Sequence, residues 1–265
     1  MLCARTVPVR RFTPRRILAG TALFALLPLS ACGNGDGGGS GGGGATITVL
    51  AAASLTGTFT ELGKEFEQEH PGVTVRLAFA SSATLAQQAT QGAPADVLAT
   101  ADPTTMASAK TAQAGTPKTF ATNTLVMVTP ADDPGHVSSF SDLDTSSVTW
   151  VMCVPTAPCG IVGTALLKRD GITGTPASQE VDVKSTLARV TEGEADAGLV
   201  YATDALAAGA AVRTIRIPGS DQHVTSYPIV TLAQSRHAGL ARQFVDLVTG
   251  TAGRRVLAKA GFGRP

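Results

Sequence analysis

Two serines, Ser54 and Ser82, each stand where a predicted strand gives way to a predicted helix. A helix start leaves unpaired backbone N–H groups with partial positive charge, and these groups suit a bound anion. Each serine can add its hydroxyl as a second donor beside its own N–H. Both serines are predicted to be the N-caps of these helices. Serine is among the commonest N-cap residues, and most such caps bind nothing, so one serine alone is weak evidence. Two of them with small alanine neighbours point more clearly to an anion site.

A catalytic use of these residues has less support. Ser54 lacks the Gly-x-Ser-x-Gly pattern of a nucleophile elbow. The four histidines fall in predicted loops without a triad-like context, and no His-x-x-x-His or Glu-rich cluster suggests a metalloenzyme. We therefore expect a binding protein without a cofactor or a bound metal cation, and a hydrolase is the less favoured alternative.

The elements that must position the serines follow an α/β pattern. Predicted strands at 46–50, 73–79 and 97–99 alternate with helices that begin near Ser54 and Ser82. This β-α-β-α-β order predicts a mainly parallel sheet with helices on both faces. A second series follows, with strands and helices predicted at 124–128, 148–152, 163–169, 183–191, 197–201, 204–208, 228–233, 239–248 and 252–259.

Ligands of open α/β sheets bind outside the carboxyl ends of the strands. That rule selects Ser54, Ser82 and Tyr201, because each follows or closes a predicted strand. Tyr201 also has an ordinary interpretation, as a half-buried tyrosine at a strand end with its hydroxyl in water.

The charge of the chain argues against nucleic acid as a partner. The formal net charge is +1, but residues 1–31 hold five arginines and no acid, so the chain from Cys32 onward carries −4. A mildly acidic protein with 5% aromatic residues fits neither a basic nucleic-acid surface nor a stacking platform. Any bound anion must therefore be attracted by local donors.

The first 31 residues are typical of a signal peptide, with a basic start and a short apolar stretch at 17–29. Leu29-Ser30-Ala31-Cys32 follows and resembles the lipobox of bacterial lipoproteins, which implies cleavage before Cys32 and a diacylglycerol on its sulfur. Residues 32–44 are then a lipidated cysteine and a Gly-rich tether. The alternative is an ordinary cleaved signal that happens to end in Ala-Cys.

Two cysteines remain for the folded part, Cys153 and Cys159. They are six residues apart and can close a small disulfide loop in an oxidising compartment. Two unpaired thiols are the alternative, whereas a zinc pair is disfavoured because no third cysteine or histidine lies nearby.

Five segments together resemble the molybdate-binding proteins of ABC transporters, in the same order from about residue 47 to 262. The resemblance implies an α/β, two-lobed periplasmic-binding-protein fold of type II with the anion in the cleft between the lobes. We expect lobe 1 at 45–125 plus 229–265 and lobe 2 at 126–228. The segments that carry the resemblance are Ile47–Leu55, Phe79–Leu85, Gly92–Val97, Leu199–Asp204 and Ala260–Phe262.

The resemblance also implies a ligand set. Ser54 and Ser82 match the first-lobe serines of the family, and Tyr201 matches its second-lobe tyrosine. A backbone N–H at a helix start matches Val183. A backbone N–H in a Pro-Ala-Gly turn matches Cys159, which replaces the usual alanine.

The function implied is that of a monomeric extracytoplasmic protein, lipid-anchored to the membrane, that captures molybdate and delivers it to an ABC permease. Tungstate is too similar to molybdate to exclude, and a sulfate- or thiosulfate-binding protein is the nearer alternative. Hydroxyl and N–H donors suit oxyanions that are fully deprotonated, because a protonated oxygen such as one of phosphate needs an acceptor.

Overall fold

The computed structural model describes residues 44–265. The predicted signal peptide, the lipidation site at Cys32 and the tether before Gly44 lie outside the described residues. Within residues 44–265, every helix is too short or too polar to cross a bilayer.

The described residues form ten strands and eight α-helices, together with short 3-10 turns. The strands are β1 (Ala45–Ala52), β2 (Val73–Ala80), β3 (Val97–Ala99), β4 (Lys118–Asn123), β5 (Leu125–Pro130), β6 (Trp150–Cys153), β7 (Ser178–Glu180), β8 (Ala197–Tyr201), β9 (Val212–Ile215) and β10 (Thr225–Thr231). The helices are α1 (Thr56–Glu69), α2 (Ser82–Thr90), α3 (Pro103–Ser108), α4 (Pro158–Asp170), α5 (Val183–Thr191), α6 (Ala202–Ala208), α7 (Ala238–Thr249) and α8 (Thr251–Lys259).

The strands assemble into two five-stranded sheets. The first has the order β2-β1-β3-β10-β4 and the second the order β7-β6-β8-β5-β9. In each sheet the first three strands of this order are parallel to one another. The fourth strand, β10 or β5, is antiparallel to both of its neighbours. The prediction of two α/β lobes is confirmed. Both sheets are mixed rather than mainly parallel, because β10 in the first and β5 in the second run antiparallel to their neighbours, and each of these strands lies next to a crossing between the sheets.

The chain changes sheets at Thr124, which separates β4 from β5. It returns to the first sheet at Thr225, the first residue of β10. The second sheet therefore starts at Leu125, and β10 belongs to the first sheet from its start. The predicted lobe limits at 125 and 228 fall close to these crossings. The residue limits of the two lobes stay a prediction.

The amphipathic pattern of α1 accounts for the core beneath the first sheet. Phe59, Leu62 and Phe66 recur at helical spacing and are fully buried. The ring of Phe244 from α7 packs against Phe59 and Phe66, at centroid distances of 6.0 and 5.4 Å. Burying side chains of this size contributes about 1.5–3 kcal/mol each, which holds α1 against the first sheet.

Helix α4 begins earlier than predicted. The sequence pattern placed it at 163–169, whereas it begins at Pro158. Proline is favoured in the first turn because its fixed φ suits a helix and its missing N–H is not needed there. The additional turn brings Cys159 to the start of the helix. Four shorter elements, β4, β7, β9 and α3, were not predicted at all.

Candidate functional site

A cavity of about 220 Å³ lies between the two sheets and brings all five predicted ligand residues together. Most of the residues that line the cavity are alanine or serine, and its enclosed part is far too small for a drug-sized ligand, so it suits a small ion. Each of the five residues is at most 8% exposed, so an ion held between them would be shielded from water. They are Ser54, Ser82, Cys159, Val183 and Tyr201.

Helix starts converge on this cavity from both sheets. Ser82 is the first residue of α2, Cys159 the second of α4 and Val183 the first of α5. Tyr201 immediately precedes α6. The N–H groups of a first helical turn have no partner within the helix and carry partial positive charge. Several such starts that face one small space favour an anion there.

The prediction that Ser54 and Ser82 are N-caps is wrong. Ser54 lies within a 3-10 turn, Ala53–Leu55, that separates β1 from α1, and the N-cap of α2 is Ser81. The 3-10 turn follows directly on β1, which continues as a strand to Ala52. Neither serine hydroxyl is used to cap a helix, so both are available for other hydrogen bonds.

Both serine hydroxyls have a hydrogen-bond partner behind them. Ser54 Oγ lies 3.0 Å from the hydroxyl of Tyr227, and Ser82 Oγ accepts from the backbone N–H of Ala101 at 3.0 Å. These contacts fix the positions of the two oxygen atoms at the cavity wall.

Tyr201 is almost fully buried at 1% exposure, which contradicts the interpretation as a half-buried tyrosine in water. Its hydroxyl has no hydrogen-bond partner among the described residues. Burial raises the pKa of the Tyr201 hydroxyl well above its ordinary value. The phenol therefore stays protonated at physiological pH and can act as a neutral donor.

No lysine or arginine lines the cavity among the described residues. Asp182 is the carboxylate at its wall, and its side chain caps α5 by accepting from the backbone N–H of Ser185 at 2.9 Å. Beyond the wall, Lys184 Nζ lies 2.8 Å from an Asp204 carboxylate oxygen that is nearly inaccessible to solvent. Burial raises the pKa of Asp204, and Lys184 opposes that shift.

The predicted bridge between Cys153 and Cys159 is present, with a Cα–Cα distance of 5.7 Å. It joins the last residue of β6 to the first turn of α4, so it ties a helix start at the cavity to the second sheet. Gly160 adds to this close packing, because a Cβ built there would lie 1.9 Å from the carbonyl oxygen of Val154. The bridge can therefore keep the Cys159 N–H in place although alanine is the usual residue.

Other residues near the site were not predicted as ligands. Ser81 lines the cavity, and Tyr227 and Asn123 lie behind Ser54. Tyr227 could have been found from composition, because it is one of only two tyrosines in the chain. Within residues 44–265, no three His, Cys, Asp or Glu side chains come together as a cation site would require.

The model of the bacterial extracellular solute-binding protein family matches residues 47–263. The chain is 45% identical over 217 residues to a molybdate-binding protein of Mycobacterium tuberculosis, covering 81% of this chain and 83% of that protein. Among solved structures, the periplasmic molybdate-binding protein of Azotobacter vinelandii aligns with a TM-score of 0.72 at 22% identity, covering 83% of this chain and 99% of that one. A sulfate-binding protein of Mycobacterium tuberculosis aligns with a TM-score of 0.70 at 17% identity, covering 82% and 86%. Both structural matches support the fold.

Proposed function

The chain belongs to the bacterial extracellular solute-binding proteins, a family of binding proteins rather than enzymes, and we propose that its solute is molybdate. It works outside the cytoplasm, as the family does. One observation carries the choice of ligand: a small buried cavity lined by hydroxyl and helix-start N–H donors, in a chain 45% identical to a molybdate-binding protein.

The donor set suits a bare tetrahedral dianion. Ser54, Ser82 and Tyr201 offer hydroxyl hydrogens, and Cys159 and Val183 offer backbone N–H groups at helix starts. Molybdate near neutral pH carries no proton, so each oxygen only accepts hydrogen bonds. A protonated oxyanion such as phosphate would bring a hydrogen towards these donors, while the carboxylate at the wall, Asp182, is engaged in capping α5. An unpaired buried polar group costs about 1–3 kcal/mol. We expect tungstate to bind in the same way.

The ligand would hold the two sheets together. Ser54 and Ser82 follow strands of the first sheet, whereas Cys159, Val183 and Tyr201 belong to segments of the second. An anion that bonds to both groups stabilises the arrangement in which they are close, and so favours a closed form of the protein. An ABC permease in the membrane is the proposed receiver of that closed form.

A lipid on Cys32 is the proposed means of attachment to the membrane. A diacylglycerol provides two chains, enough for stable anchoring, and the Gly-rich stretch that follows would let the folded part reach the permease. Changing Cys32 to serine should release the protein from the membrane fraction of expressing cells. Retention of this variant in the membrane fraction would contradict the lipid anchor. We further propose that the protein acts as a monomer, for which light scattering of the purified protein is the measurement.

Calorimetric titration of the purified protein with molybdate, tungstate, sulfate and phosphate tests the proposed ligand. We expect strong binding of molybdate and tungstate and little or no binding of phosphate. Sulfate as the tightest ligand would support the sulfate-binding alternative, since a sulfate-binding protein has the same fold. Absence of binding for all four anions would reject the proposal.

A further inference from the structure

Three side chains behind the cavity form a hydrogen-bond chain that ends at Ser54. Asn123 Nδ2 donates to the Tyr227 hydroxyl at 3.4 Å, and that hydroxyl lies 3.0 Å from Ser54 Oγ. All three residues are at most 8% exposed, so water does not compete for these bonds. We propose that Asn123 sets the direction of this chain and thereby holds the Ser54 hydroxyl as a donor towards the ligand. The inference rests on the proposed function for the identity of that ligand.

The orientation of the Asn123 amide is fixed by the backbone. Its Oδ1 accepts from the N–H of Thr124 at 3.0 Å. A flipped amide would set its NH₂ group against that N–H, donor against donor. Nδ2 therefore faces the other way, where it also donates to Thr203 Oγ1 at 2.8 Å. Asn123 closes β4 and Thr203 lies in α6, so this amide is held by contacts from both sides of the crossing.

The amide of Asn123 then determines which hydroxyl donates and which accepts along the hydrogen-bond chain. Because Tyr227 accepts from Asn123, its own hydrogen is free to donate. Ser54 Oγ, at 3.0 Å, is the acceptor with hydrogen-bond distance and angle among the described residues, whereas the nearby Tyr201 hydroxyl lacks that geometry. If Ser54 donated instead, the hydrogen of Tyr227 would be buried without an acceptor, at a cost that favours the first arrangement. Ser54 thus accepts from Tyr227, and its own hydrogen is free for an oxygen in the cavity.

Ser82 is held in the same sense by a different partner. The N–H of Ala101 can only donate, so Ser82 Oγ must accept from it and its hydroxyl hydrogen also remains free. Both serines of the first sheet therefore present hydrogens to the ligand, one through a backbone amide and one through the amide side chain of Asn123. This makes Asn123 and Tyr227 positioning residues that select for oxyanions without a proton.

A double-mutant cycle on the purified protein tests the chain. Tyr227→Phe removes the hydroxyl and keeps the ring, which packs between Tyr201 and Phe262. We expect this change to weaken molybdate binding about tenfold, the equivalent of one lost hydrogen bond to a charged group. In a protein that already carries Ser54→Ala, it should cost less than about twofold, because Tyr227 acts through Ser54. Equal losses in both backgrounds would overturn the inference.

Asn123→Asp adds a test of direction. A carboxylate accepts where the amide donates, so Tyr227 would donate to it and Ser54 would donate to Tyr227. The added charge should weaken the binding of molybdate and phosphate alike, whereas reversal should also lower the ratio of molybdate affinity to phosphate affinity by about tenfold. Because phosphate binds weakly at best, its affinity is measured by competition with molybdate at high phosphate concentration. The matched control is Thr203→Val, which removes the other partner of the amide and should leave the ratio unchanged.

The results separate this inference from the proposed function. If the unchanged protein does not bind molybdate, the proposed function fails. If it binds molybdate, but Tyr227→Phe costs the same affinity with and without Ser54→Ala and Asn123→Asp retains the ratio of molybdate to phosphate affinity, the direction of the chain is not set by Asn123. Should Asn123→Asp fail to fold, as judged by its melting temperature without ligand, the cycle with Tyr227→Phe still decides.

Discussion

Tyr201 and Tyr227, the two tyrosines of the chain, pack edge to face with their ring centroids 6.0 Å apart. Tyr201 ends a strand of the second sheet, and Tyr227 lies in a strand of the first. Their contact therefore joins the two sheets directly beside the cavity. Burial raises the pKa of both hydroxyls, so both remain neutral donors at any pH at which the protein would meet its ligand.

Tyr201→Phe should separate ligand binding from stability. The hydroxyl is buried without a partner among the described residues, so its removal should leave the free energy of unfolding without ligand unchanged or higher. The same change removes one donor to the anion and should weaken molybdate binding by about 1–3 kcal/mol. Urea unfolding and calorimetry measure the two effects. Wild-type affinity in this variant would remove Tyr201 from the ligand set.

Ser54→Ala and Ser82→Ala should each weaken molybdate binding by about 1–3 kcal/mol, because each removes a hydroxyl donor to a charged oxygen. Calorimetric titration of each variant gives the loss. Ser141→Ala is a suitable control, since Ser141 is exposed and does not line the cavity. Binding as tight as that of the control in both serine variants would show that the site lies elsewhere.

The sequence was sufficient to predict which segments of the chain meet at the cavity. Helix α5 and strand β8 have the predicted bounds, and they place Val183 and Tyr201 at the ends that face the site. Such elements have strong periodicity or a clear cap, here Asp182 before α5. The short strands β7 and β9 were missed because their three or four residues include polar, exposed ones, whereas the equally short β3 is apolar and fully buried.

The hydrogen-bond partners of the serines could not be predicted. Tyr227 is 173 residues from Ser54 in the chain, and the two hydroxyls meet only because β10 returns to the first sheet. Local spacing carries no information about such a contact. The 3-10 turn at Ser54 was not predicted for a different reason. A strand that runs directly into a turn has no capping residue that would mark the turn in the sequence.

Loss of the disulfide should affect both stability and binding. Replacing Cys153 and Cys159 by alanine removes a small loop that stabilises by about 2 kcal/mol in the chain-entropy model. It also frees the first turn of α4, so we expect weaker molybdate binding as well. Thermal unfolding with and without a reductant gives the first effect. A reductant should lower the melting temperature of the wild type and leave that of the double alanine variant unchanged.

Gly160→Ala should displace the start of α4. An added methyl would collide with the carbonyl of Val154, so the start of the helix must move. Both the melting temperature and the affinity for molybdate should therefore fall. Gly57→Ala is the matched control, because it lies in the first turn of α1 with open space around its Cβ position. Alanine there should be neutral or slightly stabilising. Equal behaviour of the two variants would contradict the tight docking of α4.

Lys184→Met should destabilise the protein in a pH-dependent way. Burial raises the pKa of Asp204 above its ordinary value of 3.8, so the folded state binds this proton more tightly than the unfolded state. Stability contributed by Asp204 therefore falls as the pH rises through that raised pKa, and Lys184 offsets the fall by pairing with the carboxylate. Without Lys184, we expect a loss of about 1–3 kcal/mol near neutral pH and a smaller loss at acid pH, once Asp204 is protonated. Urea unfolding across this range measures the loss. Adding Asp204→Asn to the Lys184→Met variant should restore most of the stability at neutral pH, because no buried charge is then left unpaired. A loss of stability in Lys184→Met that did not depend on pH would show that the broken ion pair is not the cause of that loss.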